Sequence, residues 1–245
     1  MFYTVQARGD GFGGQFQTMI CCILIAENNG HKYIHTPIKN MEHNYDNDAD
    51  FISKVENCMN LKNNYDCINN ETNLSEIQIL DINSIINNFE ANINDYLNSE
   101  SLKKIKRCFW ENKNRNFFNN NKINVGVHIR RPNSRDDRID GTDTPLKYYF
   151  DIIDYIKQKY SDKELLFHIY SQNDICEYDN YDKTNIIFHL NENLFDTFTG
   201  LVASDILITS RSSLSYSAAI LSDGEIGEIY YSNFWHRPCD KWIVC

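Results

Sequence analysis

The chain has 245 residues, 42% of them hydrophobic and 24% charged, the composition of a globular protein with room for one large domain or two small ones. Its formal net charge of −10 excludes a general nucleic-acid binder and a polybasic membrane-surface protein. Asparagine is over-used, at 32 residues, most of them before residue 125. Asn favours turns and caps over helix and strand interiors, so the first half is expected to carry decorated loops.

No run of about 20 apolar residues occurs, and no basic start precedes an apolar stretch, so neither a membrane span nor a secretory signal is expected. The eight cysteines show no CxxC pair and no zinc-finger spacing, which predicts thiols in a reducing compartment such as the cytoplasm. The glycosylation sequons at Asn70 and Asn73 are what this Asn content produces by chance. Arg8-Gly9-Asp10 spells an adhesion tripeptide, but its neighbours give it a better use.

In chain order, Phe2 to Ala7 reads as a strand, Gly9 to Gly14 as a tight loop, and Gln15 to Asn28 as a helix burying Phe16, Met19, Ile20, Ile23 and Leu24. A second strand follows over His31 to Thr36, completing a βαβ opening. The pattern then weakens. A helix is predicted over Phe51 to Met59, a strand over Glu76 to Ile82, and helices over Ile85 to Leu97 and Leu102 to Trp110. The Asn-rich stretch 112–122 reads as a surface connection, giving candidate domains 1–120 and 121–245.

The second half is clearer. Strands are predicted at Ile123 to Ile129, Leu165 to Tyr170, Ile186 to Leu190, Ile206 to Thr209 and Gly227 to Tyr231. Helices alternate with them: one opening near Pro145 with Leu146, Tyr149, Phe150 and Ile153 on one face, then Leu194 to Ala203 and Ser213 to Leu221. Alternation of this kind implies α/β architecture with parallel sheets, in two Rossmann-like halves facing a cleft.

Three constellations carry chemistry. Gly9-x-Gly11-x-x-Gly14, between strand and helix, has the form of a dinucleotide fingerprint, where glycine lets backbone approach an anion at a helix N-terminus. The following strand ends Ile34-His35-Thr36-Pro37, without the acid that would hold a nicotinamide ribose, so a structural turn stays open beside an oxidoreductase. The second constellation is His128-Ile129-Arg130-Arg131 at the carboxyl end of a buried strand, where open α/β sheets bind ligands. Four of the nine Arg fall within residues 130–138, a basic patch suited to phosphate, although Asp136, Asp137, Asp140 and Asp143 are interleaved and an ion-paired loop stays open. Strand alternation puts His128 and Arg130 on one side and Arg131 on the other. The third constellation runs from Asp205 through Ser210-Arg211-Ser212-Ser213, where Ser212 or Ser213 would cap a helix whose free amides suit a phosphate.

Together these resemble the fucosyltransferases that share an HxRR-type motif, in the α1,2-, α1,6- and protein O-fucosyltransferase branches. The residues that carry it are Gly11-Phe12-Gly13-Gly14-Gln15-Phe16, His128 to Arg131, and Ser210 to Leu221 followed by Ile229-Tyr230-Tyr231. The resemblance covers residues 1–37 and 123–235. It implies a GT-B architecture and metal-independent transfer of fucose from GDP-fucose, with inversion, to a glycan or other hydroxyl acceptor.

Carried onto this sequence, Arg130 would hold the β-phosphate, His128 and Arg131 would line the donor site, and Asp205, Ser210, Ser212 and Ser213 would contact guanosine or phosphate. Gly11, Gly13 and Gly14 would bring backbone to the ligand. A base for the acceptor hydroxyl is sought among Asp143, Asp140, Asp137 and Asp10. No DxD stands at a strand end to hold a metal, since Asp46-x-Asp48 lies in an Asn-rich loop, and no cofactor is expected. The sequence departs from the family at Gly14, where the family has Asn, and at Pro132-Asn133. The chain's shortness and lack of an anchor fit a viral or bacterial member. A binding protein that keeps the fold without turnover is the alternative.

Overall fold

The computed structural model describes residues 1–44, 47–69, 72–132, 139 and 141–245. The chain is α/β throughout and forms two compact units, Met1–Asn114 and Arg115–Cys245.

The first unit contains β1 (Phe2–Val5), α1 (Phe12–Asn28), β2 (Lys32–Tyr33), α2 (Phe51–Met59), β3 (Ile77–Leu80), α3 (Ile82–Ala91), α4 (Ile93–Leu97) and α5 (Glu100–Trp110). Its three strands pair in parallel in the order β2-β1-β3. Phe16, Ile20, Ile23 and Leu24 of α1 are wholly buried. The helix starts at Phe12, three residues before the predicted Gln15. Gly11 caps it in extended conformation, Gly13 and Gly14 fall inside its first turn, and none of Gly9, Gly11, Gly13 and Gly14 has positive φ, so the predicted loop over Gly9 to Gly14 ends at Gly11.

Other boundaries move as well, one for a tertiary reason and two for local ones. The predicted second strand shrinks to Lys32–Tyr33, with His35 adding one parallel bridge to Cys67. His35 turns inward instead, its Nε2 2.9 Å from Glu56 Oε2, while the Ile38 N–H donates to Glu56 Oε1 at 2.7 Å. The helix predicted over Ile85 to Leu97 begins earlier, at an Asp81 cap whose carboxylate accepts from Ser84 N, and breaks at Asn92 into α3 and α4.

The second unit contains β4 (Ile123–Ile129), α6 (Leu146–Lys159), β5 (Leu165–Ser171), β6 (Ile186–Leu190), α7 (Leu194–Ala203), β7 (Ile206–Ile208), α8 (Ser213–Leu221), β8 (Glu228–Tyr231) and β9 (Ile243–Val244). These strands form one open, fully parallel sheet in the order β6-β5-β4-β7-β8-β9. On one face Val125, Val127 and Ile129 meet Tyr149, Phe150, Ile153 and Ile156 of α6 in a hydrophobic core. On the other, Gly200 of α7 lies so close to Tyr170 that a Cβ there would overlap the tyrosine ring. Both faces are thus covered by helices, which is why the strands are continuously apolar.

Six of the seven non-glycine residues with positive φ among the described residues are Asn, so part of the asparagine excess supplies left-handed loop positions. All eight cysteines are free thiols. Among the described residues, no helix is long and apolar enough to cross a membrane.

Candidate functional site

The order of strands fixes where a ligand can sit on the second unit. The chain leaves β4 through α6 to β5 on one side, and leaves β7 through α8 to β8 on the other. The carboxyl ends of the neighbours β4 and β7 therefore flank a topological switch point, where the two connections diverge and leave a crevice.

His128 and Ser210 meet there. His128, 9% exposed, has Nδ1 2.7 Å from Ser210 Oγ. Burial, with the Arg130 guanidinium nearby as a smaller cause, lowers its pKa to about 3, so the imidazole is neutral at physiological pH. Ser210 is held by Ser215, whose hydroxyl accepts from Ser210 N at 3.1 Å and hydrogen-bonds the Ser210 carbonyl at 3.2 Å. Ser212 is the cap of α8, its Oγ accepting from Leu214 N at 3.2 Å, and Ser213 is the first helical residue. No acidic residue lies in that first turn to offset its N–H groups.

The two arginines of the motif part company. Arg130 leaves β4 on the His128 side, partly exposed beside the imidazole. Arg131 turns to the opposite face and is 10% exposed. Its Nη1 donates to the Thr144 carbonyl at 2.7 Å and the Thr142 carbonyl at 3.3 Å, and its Nε lies 3.6 Å from Glu177 Oε2. Arg131 thereby fixes the segment that carries Asp143, whose exposed carboxylate lies 3.3 Å from Arg211 Nη1.

Gly141 completes this contact. At φ +77°, it packs on Arg211 so tightly that a Cβ would overlap the Arg211 carbonyl oxygen. Arg211 Nε is itself buried and has no hydrogen-bond partner among the described residues. The sequence reading missed Arg211, Gly141 and Ser215 as parts of this site. A cation one residue past Ser210, inside the serine loop already singled out, was the available signal for Arg211.

Other predicted residues lie elsewhere. Asp205 precedes β7 at the sheet's amino edge, the full length of the strand from Ser210. Its carboxylate accepts from Asn124 N at 2.8 Å and Glu225 N at 3.4 Å, binding the strand starts together rather than joining the ligand end. Asp10, Gly11, Gly13 and Gly14 belong to the first unit. Asp10 forms an ion pair with Arg8, whose Nη1 donates to Thr18 Oγ1 at 2.8 Å. A Cβ at Gly14 would stand 2.6 Å from Asp10 Oδ2, so glycine there leaves room for that carboxylate. Arg8 and Thr18, but none of Asp10, Gly11, Gly13 and Gly14, line a shallow depression at the carboxyl ends of β1 and β2, whose walls also include Val5, Gln15, Met19 and Lys39. Asp137, Asp140, Arg135 and Arg138 lie outside the described residues. Among the described residues, no group of three or more His, Cys, Asp or Glu is placed to hold a metal ion.

No family model and no curated protein matches the chain. Among solved structures, it aligns over its whole length with 93% of E. coli heptosyltransferase WaaC, in a structure with ADP-2-deoxy-2-fluoro heptose, at 11% identity and a TM-score of 0.42. A superposition that loose carries nothing about the reaction.

Proposed function

We propose that the protein is an inverting, metal-independent glycosyltransferase that moves fucose from GDP-fucose, or a similar GDP-sugar, to a hydroxyl of a glycan. The observation that carries this reading is the convergence of Arg130, neutral His128, Ser210 and the uncompensated N-terminus of α8 at one switch point. This suits a diphosphate: a guanidinium and helix N–H groups favour anions, and a neutral imidazole with hydroxyls adds hydrogen bonds without a countercharge.

In the transfer, the acceptor oxygen attacks the anomeric carbon as the bond to the β-phosphate oxygen breaks. The bonding electrons leave on the diphosphate, where Arg130 stabilises the growing charge, and the hydroxyl proton passes to a carboxylate. Asp143 is the base we favour, because its carboxylate is exposed and stands on the segment that Arg131 holds. The first unit is the acceptor side in this reading, with the depression beside Arg8 and Gln15 as its candidate surface.

The test is turnover. Protein in EDTA should release GDP from GDP-fucose, slowly with water and faster with a suitable acceptor, and Arg130→Ala should lower that rate about 100-fold or more. No release from any GDP-sugar would sink the enzymatic reading. One observation favours a binding protein without turnover: Asp143 is engaged by Arg211. GDP binding with no sugar release in any acceptor screen would select it. A nicotinamide oxidoreductase has less support, because β2 is followed by His35 buried against Glu56, where a ribose-binding acid would stand.

A further inference from the structure

Of the three tryptophans, Trp110 and Trp242 are buried, at 6% and 9% exposed, while Trp235 is 64% exposed. It is nevertheless held in place. Its ring stacks on Phe234 with centroids 3.9 Å apart and planes 29° from parallel. Its Nε1 donates to His236 Nε2 at 3.1 Å, and the His236 ring lies 4.8 Å from that of buried Tyr216 on α8. The backbone beyond the shelf is pinned as well: Tyr231 OH donates to the His236 carbonyl at 2.6 Å, and Tyr216 OH to the Arg237 carbonyl at 2.7 Å. An indole face fixed by this many contacts and left open to water is preorganised to stack on another planar ring.

Its place says which ring. The segment starts at Ser232, whose N–H donates to Thr209 Oγ1 at 2.9 Å and whose Oγ donates to the Thr209 carbonyl at 2.6 Å. Thr209 adjoins Ser210, so Ser232 sits about one strand spacing, near 4.8 Å, from the phosphate-side groups. Three residues of chain reach at most about 10 Å further, so Trp235 lies within about 15 Å of Thr209, a distance that an extended nucleoside diphosphate spans. Resting on the donor reading above, we infer that Trp235, backed by Phe234, is the shelf on which the nucleobase of a nucleoside diphosphate stacks. Arg130 and the serine loop grip the phosphates. Stacking on an open indole tolerates any base, so the shelf supplies affinity, and discrimination among bases rests on other groups.

The experiment compares two probes on wild type, Trp235→Ala and Trp235→Phe. One is inorganic pyrophosphate; the other is the tightest binder among GDP, ADP and UDP. The inference predicts that Trp235→Ala weakens nucleotide binding about tenfold or more while pyrophosphate binding stays within about twofold, and that Trp235→Phe restores most of the loss. Retained pyrophosphate binding also certifies that the variant is folded. A second readout uses wild type and Trp235→Phe only: nucleotide should quench the exposed indole's fluorescence in wild type, pyrophosphate should not, and Trp235→Phe should lose the quench. Equal nucleotide affinity in wild type and Trp235→Ala would overturn the shelf and leave the phosphate site standing. If neither probe binds wild type, the donor reading falls and the shelf with it.

Discussion

Arg130 and Arg131 are adjacent in sequence and take opposite faces of the sheet, so their replacement should fail in different ways. Arg131 donates to two backbone carbonyls in a nearly buried setting. Arg131→Ala leaves those acceptors without their donor, and charged hydrogen bonds of this kind contribute about 1.5–3 kcal/mol. Its melting temperature should fall by several degrees without ligand, with turnover lost as the Asp143 loop loosens. Arg131→Lys should recover little, since one ammonium cannot reproduce a planar fork between Thr142, Thr144 and Glu177. Arg130→Ala should instead melt near wild type and lose nucleotide binding. Thermal melts of the three variants without ligand decide this, and an unchanged melt for Arg131→Ala would show that the loop does not depend on it. A residue-level reason also emerges for glycine at position 14: any side chain there would displace the Asp10 carboxylate from its place beside Arg8.

At the scale of elements, the site depends on how the loop before α6 seats against the loop before α8. Gly141 makes that seat possible, both by its φ of +77° and by its contact with the Arg211 backbone. Gly141→Ala meets a left-handed backbone and a main-chain overlap together. Strain of that kind costs about 1–3 kcal/mol, and the loops should separate in part. The variant should show lower stability and weaker GDP binding, whereas Gly9→Ala, with nothing within 4 Å of its missing Cβ, should show neither. Equal effects in both would contradict this account of the seat.

The second unit's main strands and helices were legible because they pack into its core and are bounded by turn residues, as at Pro145 and Ser212; the short exposed β9 was not predicted. Legibility failed where a decision was tertiary. Nothing local in His35 says that it will turn into Glu56 and end β2, whereas chain order alone places Asp205 before the strand predicted at Ile206 to Thr209, at the end away from Ser210. The alternation of β4 did separate Arg130 from Arg131. What Arg131 reaches, two carbonyls 11 and 13 residues away, needed the fold.

Over the whole molecule, buried histidines tie stability to pH. Burial lowers His128 to about 3, with Arg130 adding to the effect, and burial lowers His168 to about 3, with His189 adding. The unfolded chain binds these protons near pH 6.5 while the folded chain refuses them. Their contribution is therefore complete above about pH 6.5 and declines as pH falls toward 3. Glu56 adds to the acid side: burial raises its carboxyl, but the His35 and Ile38 hydrogen bonds outweigh burial and hold it below the usual range, so its stabilisation also fades on acidification. Melting temperature should drop between pH 7 and pH 4, and His168→Gln should make the drop shallower by removing one refused proton. A parallel pH profile in that variant would show that His168 takes up its proton without cost.

The central claim is that one small basic site in an acidic chain is built for a nucleoside diphosphate around Arg130. It is tested most directly by calorimetric titration of GDP into wild type and Arg130→Ala, both in EDTA. The account predicts one site per chain in wild type, and affinity for Arg130→Ala lower by about 100-fold, as for a lost charge-assisted phosphate contact. No heat of binding in wild type, or the same affinity in both proteins, would contradict it.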